Sequence, residues 1–322
     1  MIRIGVVGCG MIAYAHTMAY EEDERVKLVA FCDKDESKAK EFAQKLDANF
    51  YIDHEEMSRE SLDGISICTP PSTHMKIAKT FLSKQTDVLC EKPLAISASE
   101  GNEMIKTAAE NNALLLTAFK YRFFDETEKT KELISQGEIG KVITFRNMFG
   151  GEVNAAEKWL SKGDISGGGV LMDNGVHSVD LIRFLFGEVK EIMAKNTISV
   201  QDIDVEDSAR LLLRMKSGSV GTVNLSWSVP HPSPYYLEVY GSENSILVGW
   251  NGLYLYDKDK EEWTETGKSS GEKKAFQKEI SHFVDCIEEK ETPAASGEDG
   301  LKALEIIEAA YRSEREGNWV RV

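Results

Sequence analysis

The chain opens on an apolar strand that runs straight into a glycine-rich turn, Ile2-Arg3-Ile4-Gly5-Val6-Val7-Gly8-Cys9-Gly10-Met11-Ile12-Ala13. The spacing G-x-G-x-x-A is the dinucleotide-binding form of the glycine loop. Gly8 allows the tight turn from strand to helix. Gly10 lets backbone approach a pyrophosphate with no Cβ in the way, and Ala13 is small enough for the helix to pack on the strand. The helix that begins at Met11 and Ile12 turns free N–H groups and a partial positive charge toward the phosphates. A second strand, Lys27–Cys32, ends at Asp33, about 20 residues beyond the loop, where the fingerprint wants an acceptor for a ribose hydroxyl. The competing reading is a structural turn in some other α/β fold. The strand before the loop, the helix after it and the acid at the next strand end favour the dinucleotide.

The alternation continues to residue 120. Strands at 2–7, 27–32, 50–51, 65–68, 88–90 and 114–117 are separated by helical stretches at 11–21, 36–46, 73–84 and 97–111. Such alternation implies a parallel sheet covered on both faces, with ligands at the carboxyl ends of the strands. Three segments lie at such ends. A carboxylate at Asp33 repels a 2′-phosphate and so favours NAD over NADP, although Lys34 beside it partly offsets that repulsion. In Cys68-Thr69-Pro70-Pro71-Ser72-Thr73-His74 the prolines stop the strand and stiffen a turn expected to flank the cofactor. Thr69 and Pro70 are candidate contacts there; His74 reads equally as a contact or as a first-turn helix residue. Glu91-Lys92-Pro93 reads equally as a reactive ionisable pair fixed by proline and as a surface pair before a helix, and its X-Pro bond is a candidate for the cis form.

After Tyr121 the pattern changes. A helix at about 125–136 precedes strands at 142–149, 189–200, 205–215, 219–228, 235–240, 245–248 and 253–256, and helices at 275–290 and 299–316 close the chain. This predicts a large, mainly antiparallel open-faced sheet with helices on one face and the other face open to a partner subunit. Domains are therefore expected at 1–120 and 121–322. Within the second, Gly167-Gly168-Gly169 brings backbone close to something. The helix that follows sets Asp173 and His177 at i and i+4 on one face. That pair suits orienting and protonating a substrate. It also reads as a capping Asp with a core His, or as two thirds of a metal site. No third ligand has suitable spacing, so no metal is expected.

Composition limits the alternatives. A chain of 322 residues with 42% hydrophobic residues supports two full-sized cores. A net charge of −16 without a basic face excludes a nucleic-acid binder. No apolar run nears the roughly 20 residues of a membrane helix, and Met1 leads directly into the first strand with no signal segment, so a cytoplasmic protein is expected. The cysteines, Cys9, Cys32, Cys68, Cys90 and Cys286, are odd in number and lack a CxxC. They read as small buried hydrophobes rather than a disulfide or zinc framework. Cys90, in an apolar run with no base in sequence reach, is rejected as a nucleophile.

With the glycine loop, Glu91-Lys92-Pro93 and Gly-Gly-Gly…Asp173…His177 in this order, the whole chain resembles the glucose–fructose oxidoreductase/inositol dehydrogenase (Gfo/Idh/MocA) family. Tyr121-Arg122-Phe123, the strand pair around Val205-Glu206-Asp207 and Gly221-Thr222-Val223, and Gly297-Glu298-Asp299-Gly300-Leu301 extend the likeness. The resemblance implies a Rossmann domain plus an open-faced α/β domain that forms homodimers or homotetramers. It implies NAD(P)-dependent hydride transfer on a sugar, cyclitol or related polyol. Lys92, Asp173 and His177 then match the catalytic and substrate-contacting residues, expected to converge beside the nicotinamide. Trp159 joins them on the substrate side, and Glu91, Lys92 and Arg122 contact the cofactor. Many relatives carry an arginine after that tryptophan; here Leu160 follows, which leaves the substrate open. An NAD-dependent redox-assisted glycosidase and a non-catalytic NAD-binding protein are the alternatives, and retention of Lys92, Asp173 and His177 together argues against the second.

Overall fold

The computed structural model describes residues 1–230 and 233–322. Two compact units emerge: Met1–Lys120 with Glu272–Leu301, and Tyr121–Gly271 with Lys302–Val322. The segment Glu272–Leu301, inside the 121–322 range expected for the second domain, thus groups with the first unit. The cause is the helix Gly271–Glu289, whose Phe276, Ile280, Phe283 and Val284 recur at helical spacing and join the apolar core of the first unit.

The first unit is a six-stranded parallel sheet. Its strands are β1 (Ile2–Val7), β2 (Val26–Cys32), β3 (Asn49–Tyr51), β4 (Gly64–Ile67), β5 (Asp87–Glu91) and β6 (Leu115–Ala118). Their spatial order is β3-β2-β1-β4-β5-β6, the doubly wound order whose direction reverses beside β1. The strands are near-continuous apolar runs because both faces are covered. The helices are capped by residues in the sequence just ahead of them. Asp35 accepts the Ser37 N–H to start Glu36–Lys45, and Ser97 accepts the Glu100 N–H to start Ala98–Asn111. Asn112, in the left-handed region, ends the latter.

The second unit is built on a nine-stranded sheet: β7 (Val142–Gly150), β8 (Val189–Asn196), β9 (Ser208–Met215), β10 (Val220–Ser226), β11 (Tyr235–Gly241), β12 (Ser245–Gly249), β13 (Gly252–Asp257), β14 (Glu262–Lys268) and β15 (Val320–Arg321). The order is β14-β13-β12-β11-β7-β10-β9-β8-β15, antiparallel except for the parallel pair β7 and β10. β14 was not foreseen because, Trp263 apart, it is polar or glycine and almost wholly exposed, and β15 because it has two residues. β8 stops and β9 starts inside the expected limits for an identifiable reason. Asp207 Oδ2 takes the N–H groups of Val200 and Gln201, both at 2.8 Å, and stitches 197–207 into a loop.

One face of this sheet buries Phe145, Asn147 and Phe149 of β7, and the Phe145 ring stacks on Phe186 of the helix Val176–Phe186 at 4.8 Å. The opposite face mixes Met193, Leu212 and Leu247 with the ion pairs Arg146–Glu238 and Arg214–Glu191. That face is therefore a mixture of apolar and charged side chains. Among the described residues no helix is long and apolar enough to cross a membrane.

Candidate active site

In the first unit the sequence-identified residues gather at the carboxyl ends of β1, β2, β4 and β5. Gly8 has φ +94°, and a Cβ there would meet the Cys68 carbonyl oxygen at 2.6 Å and Thr69 Cγ2 at 2.9 Å. The turn therefore needs glycine twice over, for its dihedral and for the approach of the β4 end. Gly10 is different. Its backbone is extended, no side chain caps the helix Met11–Glu21 behind it, and a Cβ would find no described atom within 4 Å. Open space in front of a helix N-terminus, with Met11 exposed and Ile12 partly so, fits a dinucleotide pyrophosphate.

Asp33 closes β2 beside this turn. Its Oδ2 accepts the Cys9 N–H at 2.8 Å and its Oδ1 the Asp35 N–H at 2.9 Å. The carboxylate is thereby fixed against the loop, where a ribose would lie. Thr69 and Pro70 are partly exposed at the end of β4, and Thr73 Oγ1 donates to Thr69 Oγ1 at 2.7 Å. His74, by contrast, lies wholly inside the unit. Its Nε2 is 2.7 Å from the Thr69 carbonyl oxygen and its Nδ1 3.0 Å from that of Pro93. It pins the 69–74 turn to the turn after β5 and has no ring nitrogen directed at a ligand.

At the end of β5 the Lys92–Pro93 bond is cis. Lys92 is half-buried, whereas Glu91 points inward and is buried. Burial pushes the Glu91 carboxyl up. The hydrogen bond and charge of His16, then Lys92 and Lys120, outweigh it and hold the group below the usual carboxylate range. Burial, aided by Glu91, pushes the Cys90 thiol well up, which suits an inert core residue.

The second unit carries the other candidates. Two of the three glycines, Gly168 and Gly169, do approach something closely: it is the protein itself. A Cβ at Gly168 would meet the Tyr311 hydroxyl at 2.0 Å, and one at Gly169 the Glu206 carbonyl oxygen at 2.0 Å. Glu206 Oε1 then accepts the N–H groups of Gly169 at 3.1 Å and Leu171 at 3.0 Å and the Tyr311 hydroxyl at 2.8 Å. Its carboxylate thus sits on the amino end of the helical run that holds Asp173 and His177, where negative charge is favoured. Burial nevertheless raises the Glu206 carboxyl, with these hydrogen bonds opposing the rise.

That run is not one regular α-helix. Leu171–Gly175 is a π-turn, and α-geometry begins at Val176. Asp173 therefore lies in the wider turn and His177 in the first α-turn, so ideal i, i+4 geometry does not apply between them; such π-turns concentrate at functional sites. The buried Trp227 indole N–H donates to both Asp173 Oδ2 and Asn174 Oδ1 at 3.2 Å. The mostly buried His177 ring meets Tyr121 edge-on at 5.0 Å, and Tyr121 stacks on Phe149 at 4.6 Å.

Arg122 is buried, with its guanidinium paired to Asp180 through two hydrogen bonds. That pair ties the start of the unit to the His177 helix. Trp159 is exposed, in a short turn before Gly163–Ser166. Sequence reasoning missed His16, Glu206, Trp227 and Tyr311. Their partners are distant in the chain, and only the acidic pair Glu206-Asp207 ahead of a strand gave a local signal.

Known proteins share this fold. A family model described as "Oxidoreductase family, NAD-binding Rossmann fold" matches residues 2–119, and its companion, "Oxidoreductase family, C-terminal alpha/beta domain", matches residues 131–322. A myo-inositol 2-dehydrogenase of Thermotoga maritima is 29% identical, with 100% of this chain and 98% of the relative aligned. A D-apiose dehydrogenase of Paraburkholderia graminis is 25% identical over 98% of this chain and 88% of its own length. Among solved structures, levoglucosan dehydrogenase in complex with NADH superposes with a TM-score of 0.93 at 22% identity, covering 100% of this chain and 99% of that one. At that identity the likeness is one of fold.

Proposed function

The chain belongs to the Gfo/Idh/MocA oxidoreductase family, and from that premise we propose that it is an NAD-dependent dehydrogenase of cyclic or sugar-like polyols. The observation that carries the reading is the open, uncapped turn at Gly10 facing a helix N-terminus, with Asp33 fixed beside it. Gly8, Gly10, Met11 and Ile12 hold the pyrophosphate. Asp33 takes the ribose hydroxyls, which favours NAD over NADP. Thr69 and Pro70 flank the cofactor. His74, Glu91 and Arg122 support the site from inside, through the turns and helix they anchor. When bound, the nicotinamide accepts hydride from a carbinol carbon.

The protein's part is orientation and proton transfer. His177 receives the hydroxyl proton as general base, and Lys92 polarises the same oxygen and relays the proton. Asp173, held by Trp227, positions the substrate hydroxyl, with Trp159 on the substrate side. Relatives named for inositol and apiose support a polyol as the substrate class. The protein is cytoplasmic and homo-oligomeric in this reading, the open sheet face serving as the subunit contact.

The test is formation of NADH when inositols, pentoses, hexoses and anhydrosugars are offered with NAD. Turnover of at least one ring polyol is expected. Absence of turnover across the panel, or release of free sugar from aryl glycosides without net NADH, overturns the reading.

A further inference from the structure

A chain of buried hydrogen bonds lies behind Lys92. Tyr20 and His16 project from the helix that follows the glycine loop, Ser66 from β4 and Glu91 from the end of β5. The Tyr20 hydroxyl is 2.8 Å from Ser66 Oγ, Ser66 Oγ is 3.0 Å from His16 Nδ1, and His16 Nε2 is 3.0 Å from Glu91 Oε1. Glu91 Oε2 accepts the Lys92 backbone N–H at 3.1 Å. Tyr20, Ser66 and His16 are essentially inaccessible, and Glu91 nearly so.

Every link has a partner: His16 Nε2–H donates to the Glu91 carboxylate, and Ser66 Oγ joins His16 Nδ1 to the Tyr20 hydroxyl. The other ionisable groups around it are Lys92 and Lys120, of opposite sign to Glu91, and the Cys68 and Cys90 thiols and Glu279 carboxyl.

We propose that His16 is a positioning residue for Lys92: by hydrogen-bonding Glu91 it keeps a carboxylate ionised and immobile inside the sheet, and that carboxylate fixes the Lys92 backbone and the charge beside its side chain. The inference rests on the reading of Lys92 as catalytic. Its physical basis is the cost of a buried carboxylate, which stays charged only with a good partner. Because His16 lies on the glycine-loop helix, the same bond ties the cofactor-cradling element to the strand end that carries Lys92.

The experiment uses the full-length protein and does not require the substrate. A limiting amount of acetic anhydride is reacted with the protein at mildly alkaline pH, and acetylation of Lys92 relative to exposed Lys106 is read by mass spectrometry. Glu91→Gln removes the carboxylate that fixes the Lys92 backbone and raises Lys92 labelling several-fold. His16→Leu gives the same rise, because Glu91 loses the partner that holds it in place. The double variant matches Glu91→Gln alone, since both changes act through one group. His16→Gln, which retains an amide donor, stays near the wild type. Wild-type labelling in His16→Leu, or additive effects in the double variant, overturns the proposal. Should His16→Leu not fold, His16→Gln labelling like Glu91→Gln overturns it and labelling like wild type supports it. The parent reading fails separately, if Lys92→Ala turns over normally whatever the labelling shows.

Discussion

Gly8 and Gly10 have the same side chain for different reasons, and the difference can be measured. At Gly8 both φ and the Cys68 carbonyl forbid a Cβ, so Gly8→Ala is expected to lower stability by about 1–3 kcal/mol. At Gly10 neither objection applies, so Gly10→Ala should melt like the wild type yet bind NADH more weakly. Equal loss of stability in both variants contradicts that assignment. Asp33 is tested beside them: NAD(H) should bind more tightly than NADP(H), and Asp33→Ala should narrow the gap in fluorescence titrations, whereas tighter NADP(H) binding by the wild type refutes the preference. These residues were legible because the loop, its helix and its acid are close in sequence and each has one local job. His74 and Glu91 were legible only as positions. That their side chains turn inward depends on the carbonyls of two turns, at Thr69 and Pro93, and on the His16 imidazole of a helix.

The π-turn and its supports show the same limit one level up. A triple glycine announces close backbone approach, but the neighbours that require it, Glu206 and Tyr311, come from a loop and a helix far along the chain. Gly169→Ala places a Cβ 2.0 Å from a backbone oxygen that has no rotamer to escape into. It is expected to cost about 1–3 kcal/mol or more and to lower Tm by several degrees. Gly151→Ala, whose Cβ finds no described atom within 4 Å, is the control and should leave Tm nearly unchanged. Strands with strong apolar alternation were read with the right type and near the right place. β14 was invisible because Trp263 is its one large apolar residue, and the start of β9 because Asp207 spends its carboxylate on the backbone of 200 and 201.

At the scale of the molecule, the sequence signals both sheets but not the path of the chain between the units. The stripe Phe276, Ile280, Phe283 and Val284 is a helix signal that carries no address, and it is the complementary core of the first unit that claims it. The proposed subunit contact through the open face of the nine-stranded sheet predicts a dimer or tetramer in light scattering at micromolar concentration; a stable monomer contradicts it. The most direct test of the account compares wild type with Lys92→Ala and His177→Ala, measuring NADH binding and polyol turnover on the same samples. Removing a proton-transfer group should cost roughly 10²–10⁴-fold in turnover, while NADH affinity, set by the glycine loop and Asp33, stays close to that of the wild type. Near-normal turnover in either variant, or loss of NADH binding in step with activity, would contradict it.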